Sequence, residues 1–116
     1  MDFSFGKTLI VDLGARTVLV ETLKDSVIRS YIGGSGIGSW LLACHVPPSA
    51  DPLGPDNAVI FATGPFCGTP VPTSGRHQVL AKSPLTGIFG ECDVGGAWGS
   101  AFRATGFDAL VIKGAS

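Results

Sequence analysis

Two short stretches of this chain combine residue types that could hold an anion. In "SGRH", residues 74–77, Arg76 stands behind a glycine inside the proline- and glycine-rich run "GTPVPTSGRHQVLAKSPLTG". A guanidinium there offers a planar fork of donors that suits phosphate or carboxylate. The plain alternative is a surface cation or a salt-bridge partner, the usual fate of arginine. In "ECDVGGAWG", residues 91–99, Asp93 precedes Gly95 and Gly96 at the start of a predicted helix. Asp is a favoured N-cap, but two glycines weaken a first turn. They make better sense where a ligand must approach the backbone closely. Bare amides at a helix start attract phosphate, and a carboxylate would compete with it unless a cation such as Mg²⁺ bridges the two.

Other motifs fail on spacing. "GGSGIG" at 33–38 would need a glycine where Ser39 stands to complete a dinucleotide fingerprint from Gly34, and it follows a predicted helix instead of a strand. "GKT" at 6–8 would put the first P-loop glycine on Met1. Cys44, Cys67 and Cys92 form no C-x-x-C pair, which argues against a self-contained zinc or iron–sulfur site. Three dispersed cysteines fit reduced thiols. Cys44 reads as a small core residue, and His45 as a charge favouring a helix C-terminus. No Ser/His/Asp arrangement is visible.

The elements that must position these residues can be read from periodicity. "GKTLIVDLGARTVLVETL" predicts a β-hairpin turning at Gly14-Ala15, with Leu9, Val11 and Leu13 on one face. A short helix is expected over Asp25–Tyr31. A second carries Ile37, Trp40, Leu41 and Cys44 as its apolar stripe and stops at Pro47-Pro48. Strands are expected in "AVIFATG", "HQVLAK", "GIFGEC" and "DALVIKG". The last two flank a helix over Gly95–Thr105 that buries Ala97, Trp98, Ala101 and Phe102. The order β-β-α-α-β-β-β-α-β predicts an α+β domain with mixed or antiparallel sheets, residues 1–116 forming a single, incomplete unit.

Composition narrows the class. Apolar residues make up 45% of the 116 residues and charged ones only 15%, against roughly 25% charged in an average soluble domain. A small domain has proportionally more surface, so low charge implies a surface meant to be covered, by more protein or by a large ligand. The net charge of −1 and the lack of a Lys/Arg cluster give no footprint for nucleic acid. No apolar run reaches the roughly 18 residues of a membrane span, and "MDFSFGKTLIVDLG" lacks the form of a signal peptide. The expected location is cytoplasmic.

Longer stretches bring a resemblance. "YIGGSGIGSWLL", "DPLGPDNAVIFATGPFCGTPVPTSGRHQVLAKSPLTG", "VGGAWGSAFRATGFDALVIKGAS" and the initial "GKTLIVDL" resemble, in order and along nearly the whole chain, the N-terminal domain of the aldehyde ferredoxin oxidoreductase family. The run GP-x-x-GT-x-x-P-x-x-GR followed by KSPLTG is specific to it. The resemblance implies a tungsten- or molybdenum-pterin enzyme that oxidises aldehydes to carboxylic acids and passes electrons through a [4Fe–4S] cluster to ferredoxin. It implies a pterin contact for Arg76, which would lie between pterin and cluster. It implies pterin binding by Asp93 and Gly95, with Asp93 helping to hold a Mg²⁺ between pterin phosphates. Lys82, Ser83 and Thr86 would either support the Arg76 loop or cap a turn beside Pro84.

The sequence also departs from the family pattern. Asp93 stands where the family has asparagine, and His77 where it has an aromatic residue. A carboxylate binds Mg²⁺ more strongly but adds negative charge beside phosphates. His77 could move protons or be an ordinary strand substitution. The family's cluster cysteines, second pterin contacts and substrate cavity lie in parts this chain does not contain, so those domains or a companion subunit are expected as partners, in a full enzyme that could be homo-oligomeric. The resemblance leaves the substrate open, relatives that reduce aromatic thioesters included. The competing expectation is a non-catalytic truncated domain serving as a binding or assembly module.

Overall fold

The computed structural model describes residues 5–72 and 74–115. The hairpin forms as the alternation predicts: β1 (Lys7–Asp12) pairs antiparallel with β2 (Thr17–Thr22). Asp12 Oδ1 accepts from the amides of Gly14 and Ala15, which fixes the turn. Two helices follow, α1 (Asp25–Tyr31) and α2 (Ser35–His45). Next come β3 (Ala58–Thr63), β4 (His77–Lys82), β5 (Phe89–Val94), α3 (Trp98–Ala104) and β6 (Ala109–Lys113). The strands make one six-stranded sheet in the order β2-β1-β6-β3-β4-β5. Only the β1–β6 pairing is parallel among these neighbours. The fold is α+β, with the predicted element order.

The core lies between α2 and one face of the sheet. Ile37 and Leu41 of α2 meet Ile60, Leu80 and Val111, all 2% exposed or less. The stripe differs from the expected one. Cys44 is exposed, and Gly38 and Leu42 are buried instead. The reason is the glycine: a Cβ at Gly38 would sit 2.4 Å from Leu80 Cδ1. That close approach rotates the contact line of α2 from Trp40–Cys44 toward Gly38–Leu42.

Strand β1 also departs in phase. Thr8 and Ile10 face the helices, while Leu9 and Val11 lie half-buried on the opposite face and Leu13 is exposed. "TLIVDL" is apolar on both sides, so alternation could not decide which side faced inward. The second face continues through Val18, Val20, Val59, Leu110 and Ile112 in register.

Helix α3 begins at Trp98, three residues later than expected, because β5 runs on to Val94. Ala97, Trp98 and Ala101 are exposed, and Gly99 is its buried residue.

Candidate functional site

The predicted site residues converge at one end of adjacent strands. His77 pairs with Val94 and Gln78 with Asp93, so Arg76 and Gly95 come next along the two chains. The chains stay together past the strand ends, since a Cβ at Gly75 would lie 3.4 Å from the Gly96 carbonyl. The sequence folds this way because the 64–76 loop ends in Ser74-Gly75, which permits the approach, and because β4 and β5 are a hairpin in continuous antiparallel register.

Arg76 is exposed, and among the described residues it takes part in no hydrogen bond or ion pair. Its exposure fits the surface-cation alternative, and no salt-bridge partner stands beside it among the described residues. It lines a cleft of about 320 Å³ with Pro65, Phe66, Val71 and Ser74. Gly95 and Gly96 are exposed, and an added Cβ at either would meet nothing within 4 Å. Gly96 has φ +103°, which a side chain would resist, whereas Gly95 lies outside the left-handed region. The two glycines sit in the turn between β5 and α3 and not in the helix itself. Their amides are turn amides, and the helix-start account of anion attraction gives way to plain backbone exposure.

Asp93 is likewise a strand residue and not an N-cap; Ala97 occupies that position with no side-chain hydrogen bond. Its carboxylate is oriented by Gln78, whose Nε2 donates to Asp93 Oδ1 at 3.1 Å. Gln78 is itself pinned. Its Oε1 fills the space where a Cβ of Gly34 would stand, at 2.6 Å, and Gly34 has φ +53° at the head of α2. One residue on, Ser35 Oγ donates to Glu91 Oε1. "GGSGIG" thus serves close packing of α2 on the sheet edge beside Asp93. Gln78 and Glu91 escaped the sequence reading; the signal was their strand register with Asp93.

His77 is 4% exposed and lies on the opposite face, ring to ring with Trp98 at 4.6 Å and Phe61 at 6.4 Å. Burial holds its pKa below the ordinary histidine value, and Nδ1 is buried without a hydrogen-bond partner among the described residues. His45 ends α2 as expected. Burial, then Lys113, push its pKa down against an opposing pull from Glu21, so the neutral ring is favoured over the expected helix-end charge. Lys82, Ser83 and Thr86 stand at the far end of β4 from Arg76, about 20 Å away at roughly 3.3 Å per residue. Lys82 Nζ donates to the carbonyls of Pro48 and Ala50, and Ser83 Oγ accepts from the Thr86 amide. Lys82 holds the segment after α2, and Ser83 with Thr86 caps the turn; none of these bonds reaches the Arg76 loop.

These residues fit an anionic guest at the level of chemistry: a cation without a partner among the described residues, open backbone glycines and an oriented carboxylate able to take a divalent cation. Among the described residues no cluster of three or more His, Cys, Asp or Glu could hold a metal alone.

These residues lie together at one end of the sheet, and known proteins share the fold. The family model described as "Aldehyde ferredoxin oxidoreductase, N-terminal domain" matches residues 8–116. The tungsten-containing aldehyde ferredoxin oxidoreductase of Pyrococcus abyssi is 40% identical over 95% of this chain and 18% of its own length. That of Pyrococcus horikoshii is 39% identical over the same shares. Among solved structures, the active site complex BamBC of benzoyl coenzyme A reductase, in complex with 1,5-dienoyl-CoA, superposes with a TM-score of 0.93 at 32% identity. The match covers 98% of this chain and 18% of that one. The chain belongs to the aldehyde ferredoxin oxidoreductase family, and it spans about 18% of the length of the relatives it matches.

Proposed function

We propose that this chain is the cofactor-binding N-terminal part of a tungsten- or molybdenum-pterin oxidoreductase. In this reading Arg76 and the Gly95 backbone hold one pterin ligand of the metal, and Asp93 holds a Mg²⁺ shared with pterin phosphate. Bound, the cofactor supplies the two-electron chemistry that takes an aldehyde to a carboxylic acid. The chain's own contribution is binding and orientation. The Arg76 guanidinium donates to the anion, the absent side chain at Gly95 lets the ligand reach the backbone, and Gln78 fixes the carboxylate of Asp93. The [4Fe–4S] cluster, the substrate cavity and the ferredoxin contact belong to the remaining domains or a companion subunit, in a cytoplasmic enzyme.

The supporting observation is the open space before Gly95 beside an arginine that has no hydrogen-bond or ion-pair partner among the described residues. Gly95→Ala tests it. The added methyl meets nothing in this chain and demands no left-handed backbone, so stability should change by less than about 0.5 kcal/mol. Tungsten or molybdenum and pterin per protein, measured on the complete enzyme, should nevertheless fall several-fold, and Arg76→Ala should act likewise. Unchanged cofactor content in both variants rejects the reading. A second reading, a non-catalytic binding or assembly module, draws on the open apolar sheet face. It predicts an assembly that never carries metal.

A further inference from the structure

We propose that Arg103 is a positioning residue: its guanidinium latches the loop that carries Arg76 onto α3 and controls how often that loop opens. The functional consequence rests on the reading of Arg76 given above; the latch does not.

Between Thr63 and His77 the described residues 64–72 and 74–76 form no strand or helix. A loop of that length keeps a defined shape only where something holds it. Arg103 Nη1 donates to the carbonyls of Pro65 at 2.8 Å and Cys67 at 2.9 Å, with Gly64 at 3.4 Å. Its Nε donates to Asp108 Oδ1 at 2.9 Å, and the Asp108 Oδ2 accepts from the amides of Gly6 and Lys7. The first part of the loop is thereby tied, through one part-buried ion pair, to the start of β1 and the approach to β6.

Helix α3 meets the loop with Gly99 and Arg103, an i, i+4 pair on one face. At Gly99 a Cβ would lie 3.0 Å from Cys67 Sγ and 3.2 Å from the Gly75 carbonyl, the residue before Arg76. Gly68, at φ +79°, packs over Ser100 and Arg103. The glycine face seats both ends of the loop, and the arginine fastens one. A lysine could keep a charge near Asp108. Its three donors sit on one nitrogen, so it could not reach Asp108 from one position and the Pro65 and Cys67 carbonyls from another, as Nε and Nη1 of Arg103 do.

Cys67 reports on the latch, since it is a residue of the loop and only 2% exposed. The test uses the complete enzyme, with peptide-resolved alkylation of Cys67 and amide hydrogen exchange over residues 64–76. In Arg103→Lys both rates should rise at least tenfold while the amides of β3 and β6 keep their protection. The absorption spectrum of the bound cofactor should shift in the same sense as in Arg76→Ala. Should Arg103→Lys fail to fold, Asp108→Asn keeps an oxygen for the Gly6 and Lys7 amides and should give a smaller, still loop-confined rise. Unchanged loop rates overturn the proposal, as does loosening shared equally by β3 and β6, which marks a merely structural ion pair. Loop-confined loosening with an undisturbed cofactor upholds the latch and rejects Arg76 as a cofactor contact.

Discussion

At the scale of single residues, the ring of His77 shows how far type and spacing can be read and where they stop. Its place on a strand beside Arg76 was legible, but its burial against Trp98 was not, because that depends on α3 crossing the sheet 21 residues later. Burial lowers its pKa, so the neutral form is the one the fold favours. The stability this ring contributes is fully present above the ordinary histidine value of about 6.5. It is lost as pH falls through the lowered folded value. His77→Phe removes the titration and the unpartnered Nδ1 together. It should stabilise the chain by about 1 kcal/mol at neutral pH and flatten the loss of stability between pH 8 and pH 5. Urea midpoints at both pH values check this; an undiminished acid loss would assign the titration to His45, whose pKa is also lowered. Arg76, Asp93 and Gly95 were nameable as candidates from motif and resemblance. Gln78 and Arg103 were not, since each acts through a partner distant in sequence. The charged pair Arg103 and Asp108, five residues apart in an apolar segment, was the available clue.

At the scale of elements, existence and order followed from periodicity and turn residues, while boundaries and facing did not. The second helix was placed correctly by its apolar content and by Pro47-Pro48, yet its buried stripe was rotated because a glycine counts as nothing in a hydrophobic pattern. In three dimensions Gly38 is the point of closest approach. Gly38→Ala gains up to about 1 kcal/mol of helix propensity, and overpacking costs about 1–3 kcal/mol. Overpacking should win, because Leu80 is fully buried and the new methyl would stand 2.4 Å from it. The expected net loss is about 1–2 kcal/mol. Leu80→Val in the same chain should relieve part of it. A denaturant double-mutant cycle measures the coupling, and strictly additive losses would place the strain elsewhere. The late start of α3 has a related cause. Gly95 and Gly96, taken as the helix's first turn, are the turn before it, and the N-cap role proposed for Asp93 disappears with that shift.

At the scale of the whole molecule, the sheet has one face too many. Helix α2 covers one side. The other carries Leu9, Val11, Leu110 and Ile112 half-buried, with Val18 at 62% and Val20 at 53% exposure. A solvated sheet face normally alternates to polar residues, so this one is made to be covered. That accounts for the low charge seen in composition. It agrees with relatives of which this chain is 18%. The edge adds to the effect: β2 is one of the two outermost strands, all six of its residues are exposed, and "TVLVET" places Val18, Leu19 and Val20 on a strand whose outer side pairs with no strand among the described residues. An apolar exposed edge is a template for pairing with another chain. The 116-residue chain produced alone should therefore self-associate at concentrations on the order of 100 µM, a range suited to contacts of a few kcal/mol. Val18→Thr with Val20→Lys should return it to a monomer with little change in unfolding midpoint, because neither valine contributes to the core between α2 and the sheet. Sedimentation velocity decides the matter: a parent chain that already runs as a monomer would show that this face needs no cover.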